Sequence, residues 1–267
     1  MGLMDSILQN TKLATVAAGE AIMSYYQDSF SVTEKAPDNP VTEADLAADR
    51  ILKERLTSLL PEAGWLSEET ADKPDRLNRN LIWVVDPLDG TKEFVLGIPE
   101  FTVSVALVED NQPILAVIYQ PANKELYHAL YKEGAYLNDQ PIAISQTTEL
   151  RGGIVEASRS ERKRGEFEPF EDLVSLRTLG SIAYKLARVS AGKSDATWSR
   201  GPKSEWDICA GVLLIDEAGG RCVDLDDQPF QFNQPYPKVN GIIASNGRIH
   251  DQVLDVLAPH RHTARVD

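Results

Sequence analysis

Two aspartates on a short predicted loop, Asp86 and Asp89, carry the strongest chemical signal in this sequence. They follow the apolar run 81–85, which predicts a buried strand, and Gly90 turns the chain directly after them. Carboxylate oxygens, together with the backbone carbonyl of Leu88 between the two acids, are the ligands that Mg²⁺ prefers. The same residues are also typical of an Asp-Gly turn between strands, so this pattern alone leaves both interpretations open.

The two residues that follow the acids extend the possible site. Gly90 has no side chain, so a phosphate group could approach its backbone closely. Thr91 places a hydroxyl beside the acids, where it could orient a water molecule. The loop therefore combines metal ligands with groups that suit a phosphorylated substrate.

Three further acids have functional interpretations beside ordinary structural ones. Thr42 and Asp45 form a capping box that predicts a helix start, and capping alone would account for Asp45. Glu68 and Glu69 end a short predicted strand, where adjacent side chains point to opposite faces, so only Glu68 is predicted to face the acids. Asp207 lies in the first turn of an apolar helix, where the helix dipole favours a carboxylate in any case.

Composition and charge narrow the function classes. With 267 residues and 42% hydrophobic residues, the chain can build one large domain or two packed halves. A net charge of −14 argues against a nucleic-acid polymer or an anionic membrane surface as partner, and no apolar stretch is long enough to span a bilayer. Cys209 and Cys222 show no metal or redox spacing, and no secretory signal precedes them, which indicates buried thiols in the cytoplasm.

The remaining elements predict two different halves. Helices over 5–26 and after Thr42 are followed by an antiparallel meander between 101 and 137, and a boundary falls near residue 146. The polar segment 71–80 is predicted to be a loop. Helices and strands alternate in the second half.

Two features of the second half could bind an anion. The basic cluster 159–164 stands out in an acidic protein, although a solvated loop would explain it equally. Gly180 and Ser181 begin a predicted helix whose free N–H groups suit an anion, or an ordinary N-cap.

The motifs together resemble the inositol monophosphatase superfamily of metal-dependent phosphatases. The resemblance rests on Ser-Glu-Glu-Thr from Ser67, Asp-Pro-Leu-Asp-Gly-Thr from Asp86 and Glu-Trp-Asp-Ile-Cys-Ala-Gly from Glu205, in that order along nearly the whole chain. The extension Lys92-Glu93-Phe94 is similar to the 3'(2'),5'-bisphosphate nucleotidase branch.

The resemblance implies a single catalytic α/β domain, with halves 1–146 and 147–267, in which helix and sheet layers alternate in the order helix-sheet-helix-sheet-helix. It implies two or three Mg²⁺ ions, sensitivity to lithium, and Asp45 and Thr91 as the groups that position and deprotonate the attacking water. The metal ligands would be Glu68, Asp86, the Leu88 carbonyl, Asp89 and Asp207.

The resemblance also implies a small phosphorylated substrate. The leading expectation is hydrolysis of the 3'-phosphate of adenosine 3',5'-bisphosphate, or of its sulfated form, in sulfur metabolism; the alternatives are an inositol phosphate phosphatase and a non-catalytic metal- or phosphate-binding regulator. The chain would act as a monomer or a homodimer. The expected substrate contacts are Gly90, Thr91, Gly180 and Ser181 on the scissile phosphate, and Arg159 and Lys185 on the second phosphate.

Overall fold

The amphipathic segments at the start of the chain form two long helices that pack against each other. The structure is a computed structural model that describes residues 2–26, 32–36 and 39–260. The first elements are α1 (Leu3–Tyr25), β1 (Val32–Ala36), β2 (Asn39–Thr42) and α2 (Glu43–Leu59). Thr42 is the N-cap of α2, and the predicted capping box with Asp45 is present. None of the described helices has the length and apolar character needed to cross a membrane.

A seven-stranded sheet follows these helices. Strands β3 and β4 pair in parallel, and the remaining neighbours are antiparallel, which confirms the predicted meander and adds β9 to it. Short helix α3 (Thr91–Val95) follows β4. The strands are β3 (Gly64–Ser67), β4 (Leu81–Asp89), β5 (Thr102–Glu109), β6 (Gln112–Gln120), β7 (Glu125–Leu130), β8 (Ala135–Leu137) and β9 (Gln140–Ile142).

The rest of the chain builds a five-stranded mixed sheet in the order β11-β10-β12-β16-β14, and β13 pairs with β15 beside it. The strands are β10 (Ile154–Ala157), β11 (Ser175–Thr178), β12 (Ala196–Ser199), β13 (Lys203–Ser204), β14 (Arg221–Val223), β15 (Lys238–Val239) and β16 (Ile242–Ser245). The helices are α4 (Arg159–Lys163), α5 (Ile182–Ser190), α6 (Glu205–Glu217) and α7 (His250–Leu257).

The layers alternate as helix, sheet, helix, sheet and helix, as predicted. Along β4, Trp83 and Val85 pack with α1 and α2, while Ile82 and Val84 pack with α5 and α6. Helices α5 and α6 also contact the five-stranded sheet, whose other face packs against α7. Because both faces of α6 are covered, its middle, residues 208–215, is apolar all round, as expected for a helix enclosed by other layers.

A bulge in β4 decides where its two aspartates point. Asp86 pairs with Ser104 and Asp89 pairs with Thr102, so three steps along β4 match two steps along β5. Side chains in a regular strand alternate between faces, so residues three apart would point to opposite sides. The extra residue brings Asp86 and Asp89 to the same face, toward α5 and α6, and Pro87 in the bulge has no N–H to leave unpaired.

The structure corrects the prediction for residues 71–80. This segment contains a 3₁₀ helix, Pro74–Asn78, and Arg76 within it is only 2% exposed. The polar composition indicated a solvated loop, because two partners of the buried Arg76, Asn233 and Gln234, lie far away in the sequence. The basic cluster is also not a loop, since its first five residues form α4 behind a Ser158 cap.

The close contact between α5 and α6 gives a test of this layer. A Cβ on Gly211 of α6 would lie 2.4 to 2.6 Å from side-chain atoms of Leu186 in α5. We expect Gly211→Ala to lower the free energy of unfolding by about 1–3 kcal/mol, because the helices must move apart. Urea denaturation measures this change.

Gly201→Ala is the matched control, because among the described residues, apart from its two chain neighbours, none has a heavy atom within 4 Å of a Cβ at that position. Equal stability of the two variants would contradict the close packing of α5 on α6.

Candidate active site

A cavity of about 320 Å³ opens where the β4 bulge meets the first turns of several helices. It is lined by the bulge itself, by α3, and by residues at or next to the N-termini of α4, α5 and α6. Helix N-termini carry unpaired N–H groups and a positive dipole end, so this cavity suits anionic groups.

An acid cluster forms one wall of the cavity. One carboxylate oxygen from each of Glu68, Asp86 and Asp207 lies within 4.8 Å of the other two. Glu68 continues the side of β3 on which Leu66 packs toward α6, whereas Ser67 points to α2 and donates to Asp49 at 2.7 Å. The expectation that Glu68 faces the other acids is therefore met.

Asp89 lies beside the cluster and is held by the start of α5. Its Oδ2 accepts hydrogen bonds from the hydroxyl of Ser181 at 2.6 Å and from the backbone N–H of Ala183 at 2.7 Å. Thr102, opposite Asp89 in the sheet, contacts the same Ser181 hydroxyl at 3.0 Å. These bonds fix Asp89 at the cavity wall.

Asp45 and Thr91 are within hydrogen-bonding distance of each other, as the expected water-activating pair requires. The hydroxyl of Thr91 lies 3.0 Å from Asp45 Oδ1 and 3.0 Å from the carbonyl oxygen of Leu88. The other oxygen of Asp45 accepts from both the backbone N–H and the hydroxyl of Thr42, at 2.7 and 2.6 Å. Asp45 thus completes the capping box of α2 with one oxygen and accepts from Thr91 with the other, so the predicted capping is confirmed and the contact that a functional role would need is also present.

The acids strongly perturb one another. Burial, followed by the charges of Glu68 and Asp89, raises the pKa of Asp86 well above its ordinary value. Burial, followed by the charges of Asp89 and Glu68, raises the pKa of Asp207 to about 8. Carboxylates so close together need either protons or cations to lower their mutual repulsion.

The donor set fits a hard divalent cation. Glu68, Asp86 and Asp207 supply convergent carboxylate oxygens, and the Leu88 carbonyl and Asp89 lie on the same bulge. Oxygen-only ligands of this kind suit Mg²⁺ rather than a softer metal.

Three of the four residues expected to contact the scissile phosphate line the cavity, and Gly180 does not. Gly90 and Thr91 line the cavity, as does Ser181. The backbone N–H of Gly180 instead donates to Glu100 at 2.7 Å, and the Ser181 side chain caps α5 by accepting from Tyr184 at 2.9 Å. The expectation that the N–H of Gly180 is open to phosphate is therefore not met.

The two cations expected to bind the second phosphate already have carboxylate partners. Arg159 pairs with Glu100 and, at 3.4 Å, with Glu93. Lys185 lines the cavity but is 1% exposed and lies 3.2 Å from Glu161. Burial would raise the pKa of Glu161, but the charges of Lys185 and Lys203 outweigh it and hold that pKa far below its ordinary value.

Sequence reasoning missed Lys203, which lines the cavity beside the acids. Its charge acts on Asp89, Asp207 and Glu161, and it forms no ion pair within the described part of the chain. The signal available in the sequence was its place four residues before Asp207. The cavity also contains Ser160, Glu161 and Arg164 of the basic cluster, and residues that the sequence analysis had not assigned to the site: Pro40, Lys92, Glu93, Ser158, Ile182 and Pro202.

The layered fold and its acid cluster are those of a metal-dependent phosphatase. The chain belongs to the inositol monophosphatase family, since the sequence model of that family matches residues 3–263. A phosphoric monoester hydrolase is therefore the class of enzyme that this chain represents.

Similar proteins carry several names. The inositol-1-monophosphatase of Rhizobium meliloti (strain 1021) is 34% identical over 225 residues, covering 80% of this chain and 83% of that protein. The 3'(2'),5'-bisphosphate nucleotidase CysQ of Aggregatibacter actinomycetemcomitans is 34% identical over 248 residues, covering 89% and 91%. Among solved structures, the extragenic suppressor protein suhB of Bartonella henselae superposes with a TM-score of 0.85 at 30% identity, covering 96% and 99%.

The raised pKa of Asp207 predicts how pH affects the stability of the metal-free protein. When a chelator removes metal ions, Asp207 in the folded protein keeps its proton well above pH 3.8. In the unfolded protein the same carboxyl has its ordinary pKa near 3.8 and releases that proton. This contribution to stability is complete below that value and is lost as the pH rises toward about 8. Asparagine does not titrate, so Asp207→Asn should not lose this stability as the pH rises. We therefore expect the melting temperature of the variant, relative to that of the unmodified protein, to increase with pH.

Thermal melting in EDTA at several pH values between 5 and 8 measures the difference between the two proteins. Comparison of the two curves cancels the titrating groups outside the acid cluster, so the difference reports Asp207 together with the acids that its charge acts on. Parallel curves would contradict a carboxylate at Asp207 that is destabilised in the fold.

Proposed function

We propose that this protein is a Mg²⁺-dependent phosphatase that removes the 3'-phosphate of adenosine 3',5'-bisphosphate, or of its sulfated form. The observation that supports the chemistry is the convergence of Glu68, Asp86 and Asp207 beside the Thr91–Asp45 pair. In this proposal the chain forms one catalytic domain, with halves 1–146 and 147–267 that each contribute acids to the cavity.

The metal site would use Glu68, Asp86, the Leu88 carbonyl, Asp89 and Asp207. Bound Mg²⁺ would supply Lewis-acid stabilisation of the phosphate charge and lower the pKa of a bound water. Asp86 is the ligand most central to the cluster, because its pKa responds to Glu68, Asp89 and Asp207 together.

Thr91 and Asp45 would handle the proton of the attacking water. A hydroxyl can accept one hydrogen bond from water while it donates its own hydrogen to a carboxylate. The Thr91 hydroxyl lies 3.0 Å from Asp45 Oδ1, so it can orient the water, accept its proton and pass its own proton to Asp45. Asp45 is 1% exposed, and its other oxygen is occupied by Thr42, which fixes its orientation.

The cavity cations support a substrate with a second anionic group. Lys203 brings a positive charge without an ion-pair partner in the described residues, and Lys185 lies deeper, next to Glu161. A charge-assisted contact to phosphate is worth about 1.5–3 kcal/mol. We propose that Lys203 and Lys185 contact the second phosphate, and that Arg159, which is held by Glu100, shapes this end of the site.

The choice of a nucleotide also draws on the motif Lys92-Glu93-Phe94 and on the similarity to the nucleotidase CysQ. The similarity to inositol-1-monophosphatases favours the alternative substrate, an inositol phosphate, with the same acids. A non-catalytic regulator has less support, because Asp45, Asp86 and Thr91 are all present in a geometry suited to hydrolysis.

We expect Asp45→Asn to lower kcat by at least about a hundredfold, because an amide cannot take up the proton that Thr91 passes on. Its stability should change little, since the side-chain carbonyl of asparagine can still accept from the Thr42 N–H, and Thr42 remains the N-cap of α2. Steady-state kinetics and thermal melting measure the two effects.

Thr91→Ser keeps a hydroxyl at the same place and serves as the matched control, with activity largely retained. If Asp45→Asn keeps more than about a tenth of the rate, Asp45 is a helix cap without a role in proton transfer.

The substrate assignment is tested by kcat/KM for adenosine 3',5'-bisphosphate and for inositol 1-phosphate with Mg²⁺. We expect the bisphosphate to be preferred, and Lys203→Met to reduce that preference by about tenfold, as the loss of one charge-assisted contact predicts. Lys163→Met is the control, because Lys163 carries the same charge on the exposed side of α4.

Better turnover of inositol 1-phosphate would favour the inositol phosphatase. An equal loss on both substrates in Lys203→Met would instead place Lys203 at the scissile phosphate.

A further inference from the structure

A buried polar network joins the segment that follows Glu68 to the start of helix α6. Its centre is Arg76, whose guanidinium donates to both carboxylate oxygens of Asp72, at 2.7 and 2.9 Å. The same group donates to the side-chain carbonyl of Asn233 at 2.6 Å and to the backbone carbonyl of Gln234 at 2.9 Å. Four hydrogen bonds from one planar group fix the relative positions of two distant segments.

Glu205 continues the network into helix α6. It is the first residue of that helix, is 0% exposed, and accepts from the backbone N–H groups of Asn233 at 2.6 Å and Gln234 at 2.9 Å. Its own N–H donates to the carbonyl of Pro237 at 3.0 Å. Arg76 and Glu205 thus hold the same short segment from opposite sides.

The two ends of the network lie next to metal-site acids. Asp207 comes two residues after Glu205, and Asp72 comes four residues after Glu68. Arg76 also packs on strand β3, since a Cβ on Gly64 would lie 3.0 Å from the Cβ of Arg76. The backbone that carries Glu68 and the helix that carries Asp207 are therefore connected through Arg76.

We propose that Arg76 is a positioning residue that sets the spacing of Glu68 and Asp207 and thereby the metal affinity of the site. This inference rests on the proposed function, because it assigns the acid cluster to a divalent cation. Glu68 follows strand β3 and Asp207 lies in the first turn of helix α6, so local backbone geometry within either segment does not fix the separation of their carboxylate oxygens.

The two alkaline-earth ions distinguish positioning from general stabilisation. Mg²⁺ requires near-ideal octahedral geometry at short distances, whereas Ca²⁺ accepts longer and more variable ones. A small widening of the acid cluster should therefore weaken Mg²⁺ binding more than Ca²⁺ binding.

Isothermal titration of the full chain with MgCl₂ or CaCl₂ alone, without substrate, tests this in Arg76→Met and Asn233→Gly. Glycine suits position 233, where φ is +60°, and it keeps the N–H bond to Glu205 while deleting the acceptor for Arg76. We expect the Mg²⁺ dissociation constant to rise by about tenfold or more in both variants, with a clearly smaller rise for Ca²⁺.

Leu257→Ala, at the buried end of α7, provides a control with lowered stability away from the cavity. For the control we expect a lower melting temperature with unchanged Mg²⁺ and Ca²⁺ affinities. The same result in Arg76→Met and Asn233→Gly would show that Arg76 only stabilises the fold. If Arg76→Met does not fold, Asn233→Gly decides alone. If the unmodified protein binds no Mg²⁺, the proposed function fails together with this inference, whereas unchanged affinities in the variants overturn the positioning role alone.

Discussion

The site depends on holding several carboxylates together in a poorly solvated cleft. Burial and mutual repulsion oppose this arrangement, and the starts of helices offset part of the cost. Asp45, Glu161 and Asp207 each occupy the third position of a capping box, where one oxygen accepts the N–H of the capping residue. Asp89 accepts from Ala183 in the first turn of α5. Each acid is therefore fastened through one oxygen while the other can serve the cavity.

Local patterns in the sequence predicted those parts of the structure that local chemistry controls. The capping box at Asp45 and the apolar run before Asp86 gave a helix start and a buried strand where they occur. The alternation within strands assigned Glu68 to the face of the acid cluster. The bulge was not predicted, because its signal is a register change against β5 that only strand pairing reveals.

Features governed by distant partners could not be read in the same way. Arg76 is a polar residue in a polar segment, and only the approach of Asn233 and Gln234 explains its burial. Gly180 and Arg159 suited an anion site when only the sequence was considered. In the structure, both of them contact Glu100. Several cations of this acidic chain are paired with carboxylates from distant parts of the fold, and sequence spacing does not identify which ones are.

The enclosed position of helix α6 makes the acid cluster depend on the packing of the layers. Its body contacts β4, β5, β6 and β7 on one side and β14 on the other, while its first turn carries Asp207. The buried layer that unites the two sheets is thus the same element that completes the acid cluster. A chain in which α6 has separated from the seven-stranded sheet lacks Asp207 beside Glu68 and Asp86, so the acid cluster exists only where this layer is packed.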